Sequence, residues 1–159
     1  MQLRKGCSGA WLALAAAAAD RITKVIAVHG VSDGARVLIP GALNASLAAN
    51  TGMAFSLFTG QTLALTVLTL VLVLALVSWL ITRPDMPRLM RAGFWLVVGG
   101  GLGNLYDRLV YGYVVDFLEL TFVRFAVFNV ADVCICLGAG LAIIGLIVDE
   151  MRKEQAHGK

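Results

Sequence analysis

Charge is what this chain has least of. Only 14% of its 159 residues are Asp, Glu, Lys or Arg, against about 25% in ordinary soluble domains. Between Val37 and Thr82 there is none at all. Cysteine is scarce too, at three residues, and no CxxC motif occurs. Cys134 and Cys136 stand two apart, a spacing at which helical side chains do not face each other. That argues against a disulfide framework. With only two His, far apart in sequence, no zinc site can be assembled from neighbouring ligands, and no metal or cofactor is expected. The net charge of +3 and pI of about 9.0 do not point to nucleic acid, because the basic residues flank apolar runs instead of forming a patch.

What fills the chain is apolar. Hydrophobic residues make up 59% and the mean hydropathy is +0.84. Thr62–Thr82 is long enough to cross a bilayer core of about 30 Å. The pattern predicts one integral membrane domain over residues 1–159, with transmembrane helices at about 9–28, 62–82, 92–110 and 129–148. The first is interrupted by Asp20, Arg21 and Lys24. A basic start at Arg4 and Lys5 followed by "WLALAAAAA" also fits a cleavable signal peptide. The apolar residues after the polar trio favour a span that continues.

Arg4 and Lys5, then Arg83, Arg88 and Arg91, then Arg152, Lys153 and Lys159 fall on one side of a four-span chain. By the positive-inside rule that side is cytoplasmic, with both termini. The outer loops are 29–61 and 111–128. The first carries a Pro40–Gly41 turn signal among alternating small and apolar residues, as short strands on a membrane surface would. "VVDFLEL" in the second reads as extended or briefly helical. Gly99 and Gly103 in the third span, with Gly138, Gly140 and Gly145 in the fourth, let helix backbones approach closely.

The few charged and amide side chains are not scattered. Asn104, Asp107 and Arg108 lie on one face near the outer end of the third helix. Asn129 and Asp132 lie at the outer end of the fourth. Asp116 sits in the loop joining those ends, Asp20 in the outer part of the first helix, and Asn50 in the first outer loop. Intramembrane polar groups at one depth mark a functional site. Asp116 and Asp132 are the acids to pair. Two carboxylates in one site hold a single proton between them, so one can activate water while the other protonates a leaving amine.

Each residue also has a structural reading. Asp107–Arg108 can be an interfacial charge pair, Asp116 a solvated loop acid, and Asp132 an acid at a helix N-terminus. Asp20 and Lys24, four apart, can pair on one helix face. The asparagines can satisfy loop backbone, and Cys134 and Cys136 can serve as small apolar residues. Two other functions remain open on these grounds. A channel or proton-coupled carrier would use the same residue types, but it needs them along the whole bundle. A thiol oxidoreductase needs an exposed outer cysteine pair.

The order of the short motifs narrows the choice. "DRITK" (Asp20–Lys24), "NTGMAFS" (Asn50–Ser56, including Gly52), "GNLYDR" (Gly103–Arg108), "VVDF" (Val114–Phe117) and "FNVAD" (Phe128–Asp132) together resemble the bacterial lipoprotein signal peptidases, the type II signal peptidases. The resemblance implies an all-α membrane protein of four transmembrane helices with a small extracytoplasmic β-sheet and a short outer helix. It implies an aspartic endopeptidase of the bacterial cytoplasmic membrane, its active site at the extracytoplasmic face, cutting prolipoproteins before a diacylglyceryl-modified cysteine. Asp116 and Asp132 would be the catalytic acids. Asn50, Gly52, Asn104, Arg108 and Asn129 would line the site and meet substrate or a globomycin-type inhibitor. Asp20 and Asp107 would support it. Membrane lipid and prolipoprotein are the expected partners, and a monomer is expected. The chain departs from the family in having Arg21 where glutamine is common, Met53 where a small residue is frequent, and no proline before "FNVAD".

Overall fold

The computed structural model describes residues 6–31, 34–52, 58 and 60–157. Four helices are named here α1 (Ala10–Gly30), α2 (Thr62–Thr82), α3 (Arg88–Tyr111) and α4 (Val130–His157), with strands β1 (Arg36–Ile39), β2 (Leu43–Asn50) and β3 (Val114–Leu120). The four helices coincide with the four apolar stretches, but α4 runs nine residues past the expected 148. The short outer helix is absent among the described residues of both loops. Residues Met53–Ser56 of the outer-loop motif, the basic pair Arg4 and Lys5, and Lys159 lie outside the described residues.

α2 and α4 are each long and apolar enough to cross a membrane, and only 22% of the apolar window of each is buried inside the protein. A helix at the centre of a soluble protein would be mostly buried. These helices instead point Leu63, Leu70, Leu74, Ile143 and Ile147 outward. Threonines inside α2 cost little there, because Thr66 and Thr69 donate to the carbonyls of Thr62 and Leu65 within their own helix, at 2.7 Å each.

Packing between helices depends on small residues. A Cβ at Gly93 of α3 would strike the Gly138 carbonyl of α4, and one at Gly138 would strike the Gly93 carbonyl. Backbone therefore meets backbone, the close approach that favours association of apolar helices. Gly99 packs in the same way on Ala13 of α1. Next to these contacts Ala13, Val73, Leu80, Trp95 and Val98 form the buried core. There the buried Arg91 gathers the α2–α3 turn, donating to Ser8 Oγ at 2.8 Å and to the carbonyls of Pro84 (2.6 Å) and Met86 (3.1 Å).

The sheet has the order β1-β2-β3, with both pairings antiparallel. α3 ends at Gly112, whose φ of 78° lies in the left-handed region that suits glycine, and the chain turns directly into β3. Asp116, expected in a loop, is thus a strand residue beside Ala48 of β2, and Asn50 closes β2 opposite Val114. A register shift between Ala45 and Ala48 bends β2 next to Asp116. The sheet, not loop chemistry, fixes these two side chains over the bundle's end.

Candidate functional site

Asp132 is set by its own helix. Asn129 is the N-cap of α4: its carbonyl accepts from Val133 N at 3.3 Å. Its side-chain Oδ1 accepts from Asp132 N at 3.0 Å, and Asp132 Oδ2 accepts in return from Asn129 N at 3.1 Å. This reciprocal pattern is a capping box built from Asn and Asp. One more free N–H of the first turn, on Ala131, donates to Asp20 Oδ1 at 2.9 Å. The helix-capping reading of Asp132 is therefore correct, and capping is also what holds its carboxylate in one rotamer.

The remaining atoms of these side chains join the two acids. Asn129 Nδ2 donates to Asp116 Oδ1 at 2.6 Å and to Asn104 Oδ1 at 3.1 Å. Asn104 Nδ2 donates to Asp132 Oδ1 at 2.8 Å. Asn50 Nδ2 donates to Asp116 Oδ2 at 2.8 Å, while its Oδ1 accepts from Gly52 N at 2.9 Å. Each carboxylate thus receives two N–H donors. Arg108 Nη2 donates to the Gly52 carbonyl at 3.0 Å, tying α3 to the outer loop. Asp116 is buried, and that burial, helped by the charge on Asp132, pushes its carboxyl up from 3.8 to about 6 against the pull of its amide donors.

Behind this pair stands a second, deeper cluster. Lys24, only 1% exposed, places Nζ 2.8 Å from Asp20 Oδ2, 2.8 Å from Asp107 Oδ2 and 3.1 Å from Asn104 Oδ1. An ammonium has three N–H groups, and all three are used. Because lysine only donates, Asn104 must turn its oxygen toward Lys24 and its amide toward Asp132. Asp107 Oδ2 also accepts from Val115 N at 3.1 Å, next to Asp116. The buried lysine thereby registers α1, α3, β3 and α4 against one another.

Asn50, Asn104, Arg108, Asp116 and Asp132 share the wall of one cavity of about 560 Å³. Its other walls are apolar: Leu65, Leu68 and Leu72 from α2, Phe125 and Phe128 from the second loop, and Val133, Cys136 and Leu137 from α4. Two acids with their amides stand at one end of an apolar slot between α2 and α4. Among the described residues, no group of three or more His, Cys, Asp or Glu is placed to hold a metal ion.

A family profile described as Signal peptidase (SPase) II matches residues 12–148. The chain belongs to this family. It is a hydrolase, an endopeptidase of the aspartic class. Signal peptidase II relatives include the lipoprotein signal peptidase of Thermosynechococcus vestitus, 39% identical over 80% of this chain and 84% of that one. That of Gloeobacter violaceus is 38% identical over 89% and 83%. A solved bacterial membrane enzyme superposes with a TM-score of 0.82 at 29% identity, covering 92% of this chain and 91% of its own.

Within this signal peptidase II chain, the expected residues separate into two groups. Asp116, Asp132, Asn50, Asn104 and Arg108 line the cavity, Asn129 holds both acids from behind it, and Gly52 is bonded to Asn50 and Arg108. Asp20 and Asp107 do not line it; they hold Lys24 and backbone N–H groups. The expected face of Asn104, Asp107 and Arg108 divides accordingly, because Asp107 turns toward α1. Asp107 and Arg108 are not a charge pair, since neighbours in a helix point apart. Local spacing pairs Lys24 with Asp20 alone and does not reveal its bonds to Asp107 and Asn104. A lysine among apolar residues, one turn after an acid, was the available signal. The apolar slot wall, Cys136 included, had no signal beyond hydrophobicity.

Proposed function

We propose that this chain spans the bacterial cytoplasmic membrane four times and removes signal peptides from prolipoproteins. The cut falls just before a diacylglyceryl-modified cysteine, with Asp116 and Asp132 as the catalytic pair at the extracytoplasmic face. One observation carries the reading. Two carboxylates linked through Asn129, whose side-chain amide donates to Asp116 and whose backbone N–H donates to Asp132, share a cavity whose remaining wall is mainly apolar. An apolar signal peptide and a lipid-bearing cysteine fit such a slot, and the acids sit where the scissile bond would lie.

Roles follow from the surroundings. Asp116, with its raised carboxyl, carries the shared proton, more so once substrate displaces water from the cavity. Asp132 takes a proton from the attacking water. The hydroxide adds to the scissile carbonyl carbon, and as the C–N bond breaks Asp116 gives its proton to the leaving amine of the modified cysteine. The proton on Asp132 then restores the pair. Asn104 and Asn129 keep both carboxylates in register throughout. Arg108, anchored to Gly52, is placed to meet the substrate backbone or a globomycin-type inhibitor.

The test is cleavage of a diacylglyceryl-modified prolipoprotein by the purified chain, beside Asp132→Asn. The parent should cut before the lipidated cysteine, and the variant should lose about 10²- to 10⁴-fold while still folded. A folded Asp132→Asn protein with near-parent activity would remove that acid from the reaction.

A further inference from the structure

Two further cavities lie on the face of the bundle away from Asp116 and Asp132. A cavity of about 200 Å³ is lined by Arg21, Lys24 and His29 of α1 with Tyr111 and Tyr113. Beside it, a groove of about 460 Å³ runs between α1 and α3 along Ala17, Leu102, Leu105, Tyr106 and Leu109, with Asp20, its charge paired to Lys24, in the same wall. Arg21 belongs to both.

The guanidinium of Arg21 is held but not used up. It lies 5.0 Å from the Tyr106 ring centroid and 5.4 Å from that of Tyr111, and Nη2 donates to Tyr111 Oη at 2.6 Å. Its pairing with Asp107 is long, at 3.4 Å. Lys24 already lies 2.8 Å from that carboxylate. Two bonds engage two of the five N–H groups an arginine carries. Among the described residues no partner takes the others, and the side chain is 37% exposed. The apolar groove ends at this arginine, at the level where α3 stops with Tyr111. Tyrosines at that level are the usual markers of a membrane–water boundary.

We propose that this groove binds an anionic phospholipid, with its phosphate on Arg21 and the Tyr111 hydroxyl and one acyl chain along α1 and α3. Charge complementarity selects the occupant. A guanidinium with spare N–H groups takes phosphate oxygens in parallel bonds, and a headgroup without a cation of its own leaves that pairing uncontested. The inference rests on the chain being embedded in a membrane. It does not depend on the peptidase reaction.

Native mass spectrometry of the delipidated full chain in detergent tests it, titrating phosphatidylglycerol against phosphatidylcholine of the same chains. The phosphatidylglycerol adduct should be retained about tenfold better, the effect of roughly one charge-assisted hydrogen bond. Arg21→Gln should abolish that preference. Ala17→Phe, which fills the lipid-facing groove, should weaken binding of both lipids. Cys136→Trp and Asp116→Asn, both on the cavity side, should leave the adduct unchanged, so failure of the peptidase reading would not be mistaken for failure here. Equal retention of the two lipids, or an undiminished preference in Arg21→Gln, would overturn the proposal. Displacement of the adduct by inorganic phosphate alone would make this a free-anion site and overturn it equally.

Discussion

Replacing Asp116 with asparagine should abolish cleavage and yet stabilise the protein at alkaline pH. Asp116 is 2% exposed, and its carboxyl is pushed up from 3.8 to about 6, chiefly by burial. The folded chain therefore holds this proton more tightly than the unfolded chain. The associated stability is fully present below pH 3.8 and is lost as pH rises through about 6. At 1.36 kcal/mol per pKa unit the loss reaches about 3 kcal/mol. Asparagine carries no charge and escapes it. It presents one acceptor where Asn50 and Asn129 each donate, and so gives up about 1 kcal/mol for one hydrogen bond. Asp116→Asn should be more stable than the parent by about 2 kcal/mol at pH 8 and slightly less stable at pH 4. Thermal melting of both proteins in the same micelles from pH 4 to 8 reads this out, with the variant about 4–8 °C higher at pH 8. Parallel melting curves at every pH, or a variant that melts lower at pH 8, would refute the account of Asp116 as a buried acid carrying the shared proton.

The same proton should govern the reaction: with Asp116 as the acid, kcat/KM for prolipoprotein cleavage should fall as pH rises past about 6, and a rate that instead climbs with pH there would reverse the two roles. Lys24→Met leaves Asp20 and Asp107 buried without their shared cation and should cost about 3–5 kcal/mol in denaturant unfolding, with part restored by adding Asp20→Asn. Gly93→Ala drives a methyl into the Gly138 carbonyl and should destabilise by about 1–3 kcal/mol, whereas Gly140→Ala, which meets nothing within 4 Å, should be neutral or better in the same melt. Cys136→Trp narrows the apolar slot away from the acids, so KM should rise more than kcat falls; an unchanged KM would remove that wall from the substrate's path.

Much of the site was legible in the chain because its chemistry is rare. In a sequence with so little charge, Asp116, Asp132, Arg108 and the asparagines stand out, and helical spacing places most of them at one level. The sequence by itself determined the four helices, through long runs of apolar residues, and the capping of α4, through Asn129 and Asp132 three apart. It also singled out Asp116 and Asp132, two acids that line one cavity. Only the tertiary structure decided that the stretch around Asp116 is extended, not helical, and pairs with β2, because that pairing is a contact between residues about seventy apart in sequence. It alone separated Asp107 from Arg108 and turned Asp107 to Lys24, since the helix that receives each side chain is not written in local spacing. And it alone made Lys24 the hub of the buried cluster. A lysine enters an apolar interior when three acceptors converge on it, and here they come from two helices, α1 and α3, brought together by packing.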